Sequence, residues 1–418
     1  MSARTRARRA AVLLVTLALV LSGCAQPPAA DDPNGPIRIG AAVSDTGKYS
    51  IEGAAVKHGY ELWRDMVNNE LGGIKVGDRK RPVEIVFYDD QSDPEQAVRL
   101  IQRLISEDGI DFIFGSYSSG LTLAASAVTE PNKKILFAGG AAADTVFSQG
   151  SDYVFSPLTN TSRYTESALR ELARRGVKTI GILHTDEAPM VDVQRATEKL
   201  AGELGIRVVG TQRVPSDAND IRGAIGQLQR ANPDVLLEAG HTLMGVLTTQ
   251  TMRSLDWMPP YVLMVQAPTE QNFVEQLGAQ TTRGIMAPTQ WHSSAKFADE
   301  YFGTAADYEA RYVARYGEKP SYMPPSGSAV ALSLQLAIEK AGSVEVEAVR
   351  EALLELDVDT FYGPIDYAGP DDPSGLKGAN VSRPMLTVQL DEKGEQVVVA
   401  PAENASAEIR PSTPWSQR

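Results

Sequence analysis

Short apolar runs alternate with segments of helical spacing along most of this chain, and that alternation limits the fold more than any other feature. Residues 37–43, 83–88, 110–114 and 135–138 are apolar stretches too short for stable helices and read as buried strands. Between the first two, residues 51–71 place Val56, Tyr60, Trp63 and Val67 on one helical face and stop at Gly72-Gly73. Asp93-Pro94-Glu95-Gln96 opens a helix running to about residue 107: Asp caps, Pro occupies the first helical position, and Gln reaches back. The pattern restarts after 153–159, a crossing segment. Helices are expected at 162–175, 191–204, 221–231 and 243–255, with strands at 179–183, 208–214, 235–238 and 261–265. Strand–helix alternation of this kind predicts an α/β chain in which parallel sheets are flanked by helices on both faces. Its 418 residues suit about two such units.

Open sheets of this type take ligands at the carboxyl ends of their strands. In the first half three turns fall on that edge: 44–50, 116–120 and 139–144. The middle one, Gly115-Ser116-Tyr117-Ser118-Ser119-Gly120, links a strand to an Ala-rich helix at 121–128. A helix start leaves backbone N–H groups without intrahelical partners at its positive dipole end, and hydroxyls and a glycine beside it make a carboxylate receptor. The competing reading is that Ser118 or Ser119 only caps the helix. In the second half the strand-end turns carry His184-Thr185-Asp186, Ala239-Gly240-His241 and Gln266-Ala267. His184 and His241 are candidate hydrogen-bond donors, set against ordinary structural histidines. Asp186 is a candidate partner for a ligand amine, set against a helix-capping role. Tyr49 is a candidate aromatic wall, set against a surface turn. Asp89-Asp90 invites an acid–base reading, but turn formation and capping explain it better. Met244, Met258 and Met264 read as core.

Composition narrows the function. The net charge is −13, and the four arginines at positions 4, 6, 8 and 9 are the only charges before Cys24, so loss of that segment lowers it to −17. An acidic body without basic clusters argues against nucleic acid. One Cys and 4 His exclude an internal disulfide and leave almost nothing for a Cys/His metal site. No cofactor or metal motif is present, and the Gly115–Gly120 spacing is not that of a hydrolase Gly-x-Ser-x-Gly elbow. The basic 1–9 followed by an apolar 10–21 has signal-peptide form and is short of a membrane span.

Leu21-Ser22-Gly23-Cys24 resembles a bacterial lipobox, which implies removal of 1–23 and a lipid anchor on Cys24, the only cysteine. Residues 24–36, rich in Ala, Pro and Asp, then form a lipid-anchored tether. Further resemblances follow in order: Ser44-Asp45-Thr46-Gly47-Lys48-Tyr49, Asp89-Asp90-Gln91-Ser92-Asp93-Pro94, the 115–120 turn, and Thr360-Phe361-Tyr362-Gly363-Pro364-Ile365. Together they resemble the branched-chain amino-acid-type solute-binding proteins of bacterial ABC importers. That resemblance implies the type I two-lobe periplasmic-binding-protein fold, each lobe a parallel sheet flanked by helices, hinged on crossing strands. The expected division is lobe 1 at 37–157 plus 289–360, lobe 2 at 158–288 plus 361–400, and a flexible tail at 401–418. It further implies a monomer with no catalytic activity, anchored at the extracytoplasmic face of the cell membrane, that hands a small solute to a permease and its ATPase.

By the same resemblance the carboxylate-binding serine falls on Ser119, beside Ser118, and a carbonyl for the ligand ammonium falls near Ala141, in the run Ala141-Ala142-Ala143. Three positions depart from the pattern. A hydroxyl is replaced at Ala143, an aromatic is replaced near Pro189-Met190, and the amine-binding acid is replaced by Gln266, which can hydrogen-bond an ammonium without neutralising it. The expected contacts are therefore Tyr49, Ser118, Ser119, Ala141, Ala142 and Ala143 on one lobe and Asp186, His241 and Gln266 on the other. The expected ligand is an amino acid or a related carboxylate, amide, urea-like compound or aromatic acid. Two alternatives stay open: a sensor of the same fold acting on a partner receptor, and a serine-type amide hydrolase.

Overall fold

The computed structural model describes residues 35–417, so the expected leader, the lipid site at Cys24 and most of the tether lie outside the described residues. Two sheets organise the chain. The first contains β1 (Ile37–Val43), β2 (Val83–Asp89), β3 (Phe112–Phe114), β4 (Ile135–Phe137) and β5 (Val154–Phe155), in the order β2-β1-β3-β4-β5, all parallel. The second contains β6 (Thr179–Thr185), β7 (Arg207–Val214), β8 (Val235–Ala239), β9 (Tyr261–Met264), β10 (Met286–Thr289), β11 (Leu386–Leu390) and β12 (Gln396–Ala400). Its order is β12-β11-β10-β9-β8-β6-β7. Five of these strands are parallel, and β11 and β12 add an antiparallel edge that strand–helix alternation gave no reason to expect.

Strand order reverses once in each sheet, between β1 and β3 in the first and between β6 and β8 in the second. At such a reversal the connecting segments leave in opposite directions and open a crevice beyond the carboxyl ends of the strands. This topology, more than any single side chain, decides where a ligand can sit.

Local sequence explains the elements around the first crevice. The helix Pro94–Ser106 begins with the expected cap and proline, the Asp93 side chain accepting from the N–H of Gln96 at 2.8 Å, but the Gln96 side chain accepts from Arg99 at 2.7 and 3.0 Å instead of reaching back. The helix Ser50–Met66 buries Val56, Tyr60, Trp63 and Met66 against Met323–Ala341, itself buried over most of its length. Close approach between the two requires glycine: a Cβ on Gly59 would stand 2.1 Å from the Pro324 carbonyl oxygen, and one on Gly327 would stand 2.4 Å from that of Val56. Chain from beyond residue 300 therefore packs into the first unit.

Two expected boundaries are corrected. Phe361, Tyr362, Ile365 and Tyr367 were assigned to the second lobe, yet they share one buried apolar cluster with Ile37, Trp63 and Phe114 of the first. These three aromatics need a ready apolar layer, and Phe302, Tyr308 and Trp291 supply it, with Tyr308 stacked on Phe361 at 4.4 Å. The tail at 401–418 was expected to fray. Instead Ile409 is buried in the core of the second unit, Gln389 bonds both N–H and C=O of Arg410, and the Trp415 indole donates to the Trp257 carbonyl at 2.8 Å.

Three segments cross between the units, and their polar groups interlock. The Thr159 N–H donates to Gln290 Oε1 at 3.1 Å and Gln290 Nε2 returns a bond to the Thr159 carbonyl at 2.9 Å. Arg383, fully buried, donates to Gln290 Oε1 at 2.6 Å and to the Tyr362 carbonyl at 2.9 Å. Asn380 ties Pro157 to Pro364 by donating to both carbonyls, at 3.0 and 2.9 Å.

Candidate functional site

A cavity of about 310 Å³ lies between the units and is lined by the turns at both strand reversals. From the first unit come Tyr49, Tyr117, Ser118, Ser119, Gly120, Gly140, Ala142, Ala143 and Thr145. From the second come Glu187, Pro189, Met190, His241, Val265 and Gln266, and the crossing region adds Leu158, Thr161, Tyr164, Pro288, Gln290 and Met385. Tyr322 and Met323, at the head of the long buried helix, close another side.

The first wall is fastened from beneath. Asp90 is fully buried; its Oδ1 accepts from Ser44 Oγ at 2.6 Å and from the Ser92 N–H at 2.8 Å, and Ser44 Oγ meets Ser116 Oγ at 3.1 Å. Three strand ends are thus joined under the 115–120 turn, so the carboxylate pair Asp89-Asp90 is structural. Asp89 performs a similar task in its own loop, accepting from Thr46 Oγ1 at 2.7 Å. The Tyr60 hydroxyl donates to the Gly115 carbonyl at 2.8 Å. The Ser118 N–H donates to the Gly140 carbonyl at 3.3 Å, which aligns the middle turn with the 139–144 loop.

Within that frame the two serines divide the roles that sequence left open. Ser118 is the helix cap: its hydroxyl accepts from the Leu121 N–H at 3.3 Å. It does so at φ +90°, left-handed backbone that costs a non-glycine residue about 1–3 kcal/mol and is tolerated where surrounding structure enforces it. Ser119 Oγ accepts from the Ala143 N–H at 3.2 Å, joining the two loops, and keeps its own proton to donate into the cavity. The first N–H groups of the helix Ser119–Thr129 add their positive dipole end. Tyr49 packs edge-on against Tyr117, ring centroids 5.4 Å apart, as an aromatic side to this subsite.

The second wall is built differently. Glu187 precedes the helix Ala188–Glu203 and lines the cavity; its Oε2 accepts from Thr185 Oγ1 at 3.1 Å. His241 joins it to Gln266, with Nε2 3.6 Å from Glu187 Oε1 and Nδ1 2.7 Å from Gln266 Oε1. Behind this row, Glu238 is fully buried and neither carboxylate oxygen has a partner among the described residues. Burial in this apolar layer pushes its carboxyl up to about 8.

Of the predicted contacts, Tyr49, Ser118, Ser119, Ala142, Ala143, His241 and Gln266 line the cavity. Ala141 does not: it is fully buried in the core layer behind the loop. Asp186 is also displaced, since it is exposed and its Oδ1 accepts from the Ser216 N–H at 3.2 Å, while the next residue, Glu187, turns inward. His184 is a satisfied structural histidine, its Nδ1 2.8 Å from the Thr185 carbonyl oxygen. Met244 and Met264 are core. Sequence reasoning missed Glu187, Tyr164, Gln290 and Tyr322. Glu187 had a usable signal, as a strand-end acid beside Asp186; the other three reach the cavity only through the crossings and the late return of the chain. Among the described residues no cluster of His, Cys, Asp or Glu could hold a metal ion.

Two α/β units that share three crossings, with the turns at both strand reversals meeting around a small cavity, define a two-lobe solute receptor. The chain belongs to the periplasmic binding protein family, whose sequence profile matches residues 36–395. It is 24% identical over 415 residues to the Leu/Ile/Val-binding protein homolog 7 of Brucella melitensis, covering 96% of this chain and 98% of that one. Its fold resembles that of the branched-chain amino acid transporter substrate binding protein of Streptococcus pneumoniae, solved with isoleucine, at TM-score 0.71 and 19% identity over 88% of this chain and 100% of that one. It equally resembles an ABC transporter solute binding protein of Rhodopseudomonas palustris solved with 3,4-dihydroxybenzoic acid, at TM-score 0.72 and 18% identity over 92% and 99%.

Proposed function

We propose that this protein is the solute-binding component of an ABC importer, capturing a small amino acid or related carboxylate or amide between its lobes. The observation that carries the reading is the meeting of both strand-reversal turns around one cavity of about 310 Å³, at the low end of the range for small-molecule sites. Ser119, Ser118 and the Ala142–Ala143 backbone receive the acceptor end of the solute. Glu187, His241 and Gln266 meet its other end. The two solved relatives mark the range of candidates, one holding an aliphatic amino acid and the other an aromatic acid. The loss of the acid at Gln266 and of the hydroxyl at Ala143 favours a solute other than a simple aliphatic amino acid. Tight leucine binding would count against that preference.

The solute is bound and released unchanged in this reading. Ser119 has Ala143 as its partner and His241 has Gln266 and Glu187, so this serine and histidine are not paired with each other. We place residues 37–157 and 291–379 in the first lobe and 160–289 with 384–415 in the second, in keeping with the buried clusters. The lipobox at Cys24 supports an anchor on the extracytoplasmic face, from which a monomeric receptor meets a permease and its ATPase. Among the described residues no helix is long and apolar enough to cross a membrane. A thermal-shift screen of amino acids, amides and aromatic acids tests the reading, because a cleft ligand raises apparent stability by mass action. Turnover of a bound compound would refute it.

A further inference from the structure

Beneath the cavity floor the crossing region holds a charge that makes no ion pair among the described residues. Arg383 is 0% exposed, and its hydrogen-bond partners are the Tyr362 carbonyl, Thr159 Oγ1 at 3.2 Å and Gln290 Oε1, all uncharged. Its Nη2 has no partner among the described residues. The Tyr362 ring lies 4.0 Å from the guanidinium carbon, which offsets part of the burial cost without neutralising the charge. The other arginine acting on it, Arg163, has the same sign and is itself turned to Glu166 and the Val381 carbonyl. A buried ion without a counter-ion is expensive in a protein interior, and nearby anionic charge lowers that cost.

The cavity is one side chain away. Gln290, which lines it, takes Arg383 on Oε1 and donates from Nε2 to the Tyr164 hydroxyl at 3.2 Å. Burial pushes the Tyr164 phenol up to about 12, so it stays protonated; having accepted from Gln290, it has one proton left to donate to a ligand. The Thr161–Tyr164 turn also touches the anion subsite, since the Ala142 carbonyl accepts from the Thr161 N–H at 2.9 Å. Among the described residues no Lys or Arg lines the cavity, and the only lining carboxylate, Glu187, sits on the opposite wall.

Building on the solute-receptor reading, we infer that Arg383 is a specificity-determining residue: it supplies, through Gln290 and Tyr164, the counter-charge for an anionic group at the hinge end of the cavity. The receptor then selects carboxylates over their neutral amides. Bringing the anion in stabilises the crossing region itself, so ligand charge and hinge are coupled by the same residue. Arg383 works at one remove from the ligand and need not touch it.

The test is calorimetry on the full chain with matched pairs, benzoate with benzamide and leucine with leucinamide, alongside other carboxylate–amide pairs found by thermal shift. The wild-type protein should bind the carboxylate about tenfold or more tighter than its amide. Arg383→Gln should bring the ratio close to one, and Arg383→Lys should keep most of the preference. Gln290→Glu covers the case in which the Arg383 variants fail to fold: it gives Arg383 an internal counter-ion at nearly constant shape and should favour the amide. An equal affinity for both members in the wild type, or an unchanged ratio in Gln290→Glu, would overturn the assignment to Arg383 while leaving the receptor reading intact. Absence of binding by every carboxylate and amide in the screen would overturn the receptor reading and this inference with it.

Discussion

The two walls of the cavity solve the same problem by opposite means. On the first lobe the ligand-facing loops are tied to one another and to the strands beneath: Ser119 to Ala143, the 115–120 turn to Ser44 and Asp90, and Gly115 to Tyr60. On the second lobe the facing row of Glu187, His241 and Gln266 is backed by Glu238, a buried carboxyl without a partner among the described residues. The difference teaches where precision and where tension reside. A fastened wall presents donors in fixed geometry and loses little on binding. The other wall rests on a group that is tolerated only while it stays protonated.

Glu238 gives the largest effect by which to break that contrast. A carboxyl whose folded value lies above its unfolded one contributes stability that is complete below about 4.5 and lost as pH rises through about 8. Urea unfolding between pH 5 and 9 should therefore show stability falling with pH by on the order of 4 kcal/mol, and Glu238→Gln should flatten the slope. A flat wild-type profile would remove the asymmetry between the walls. Next in size, Asp90→Ala should cost about 3 kcal/mol of stability, since it leaves Ser44 and the Ser92 N–H buried without their charged acceptor. If denaturant midpoints barely move, the first wall is not fastened in the way its geometry indicates.

Affinity separates the walls further. Ser119→Ala should weaken binding by roughly 1.5–3 kcal/mol through loss of a charge-assisted hydrogen bond, and should also lower the melting temperature of the empty protein, since the buried Ala143 N–H loses its acceptor. The smallest effect sharpens the account at one residue. Ser118→Gly relieves the backbone cost of φ +90° and loses only a few tenths of a kcal/mol in capping, so it should stabilise the protein by about 0.5 kcal/mol. Destabilisation instead would mean that the hydroxyl matters beyond the Leu121 N–H.

Much of this was legible in the sequence because periodicity is a local signal. The alternation gave two parallel α/β units, Asp93-Pro94 marked its helix start correctly, and the turns after β1, β3, β4, β8 and β9 were placed on the ligand edge. What stayed hidden depends on direction or distance. Asp186 and Glu187 are adjacent acids, and which one faces the cavity depends on the path of the loop after β6, which residue types do not encode. Tyr164, Gln290, Tyr322 and Arg383 come together from separate segments, Tyr164 and Gln290 126 residues apart and Gln290 and Arg383 93, where no spacing rule applies. The tail looked polar and Pro-containing, a profile shared by frayed ends and by chain that follows a groove; Ile409 and Trp415 find theirs on the second lobe. Phe361-Tyr362 was read as a signature and assigned by order to the wrong lobe, because apolar demand, and not chain order, decides which core takes an aromatic pair.

The central claim is that one solute is held by both strand-reversal turns at once. Isothermal titration of the tightest ligand from the screen, against wild type, Ser119→Ala and Glu187→Gln, tests it most directly. The account predicts that each variant, one on each lobe, weakens binding by about tenfold or more. Unchanged affinity in both would contradict it, since the solute would then lie outside the cavity between the lobes.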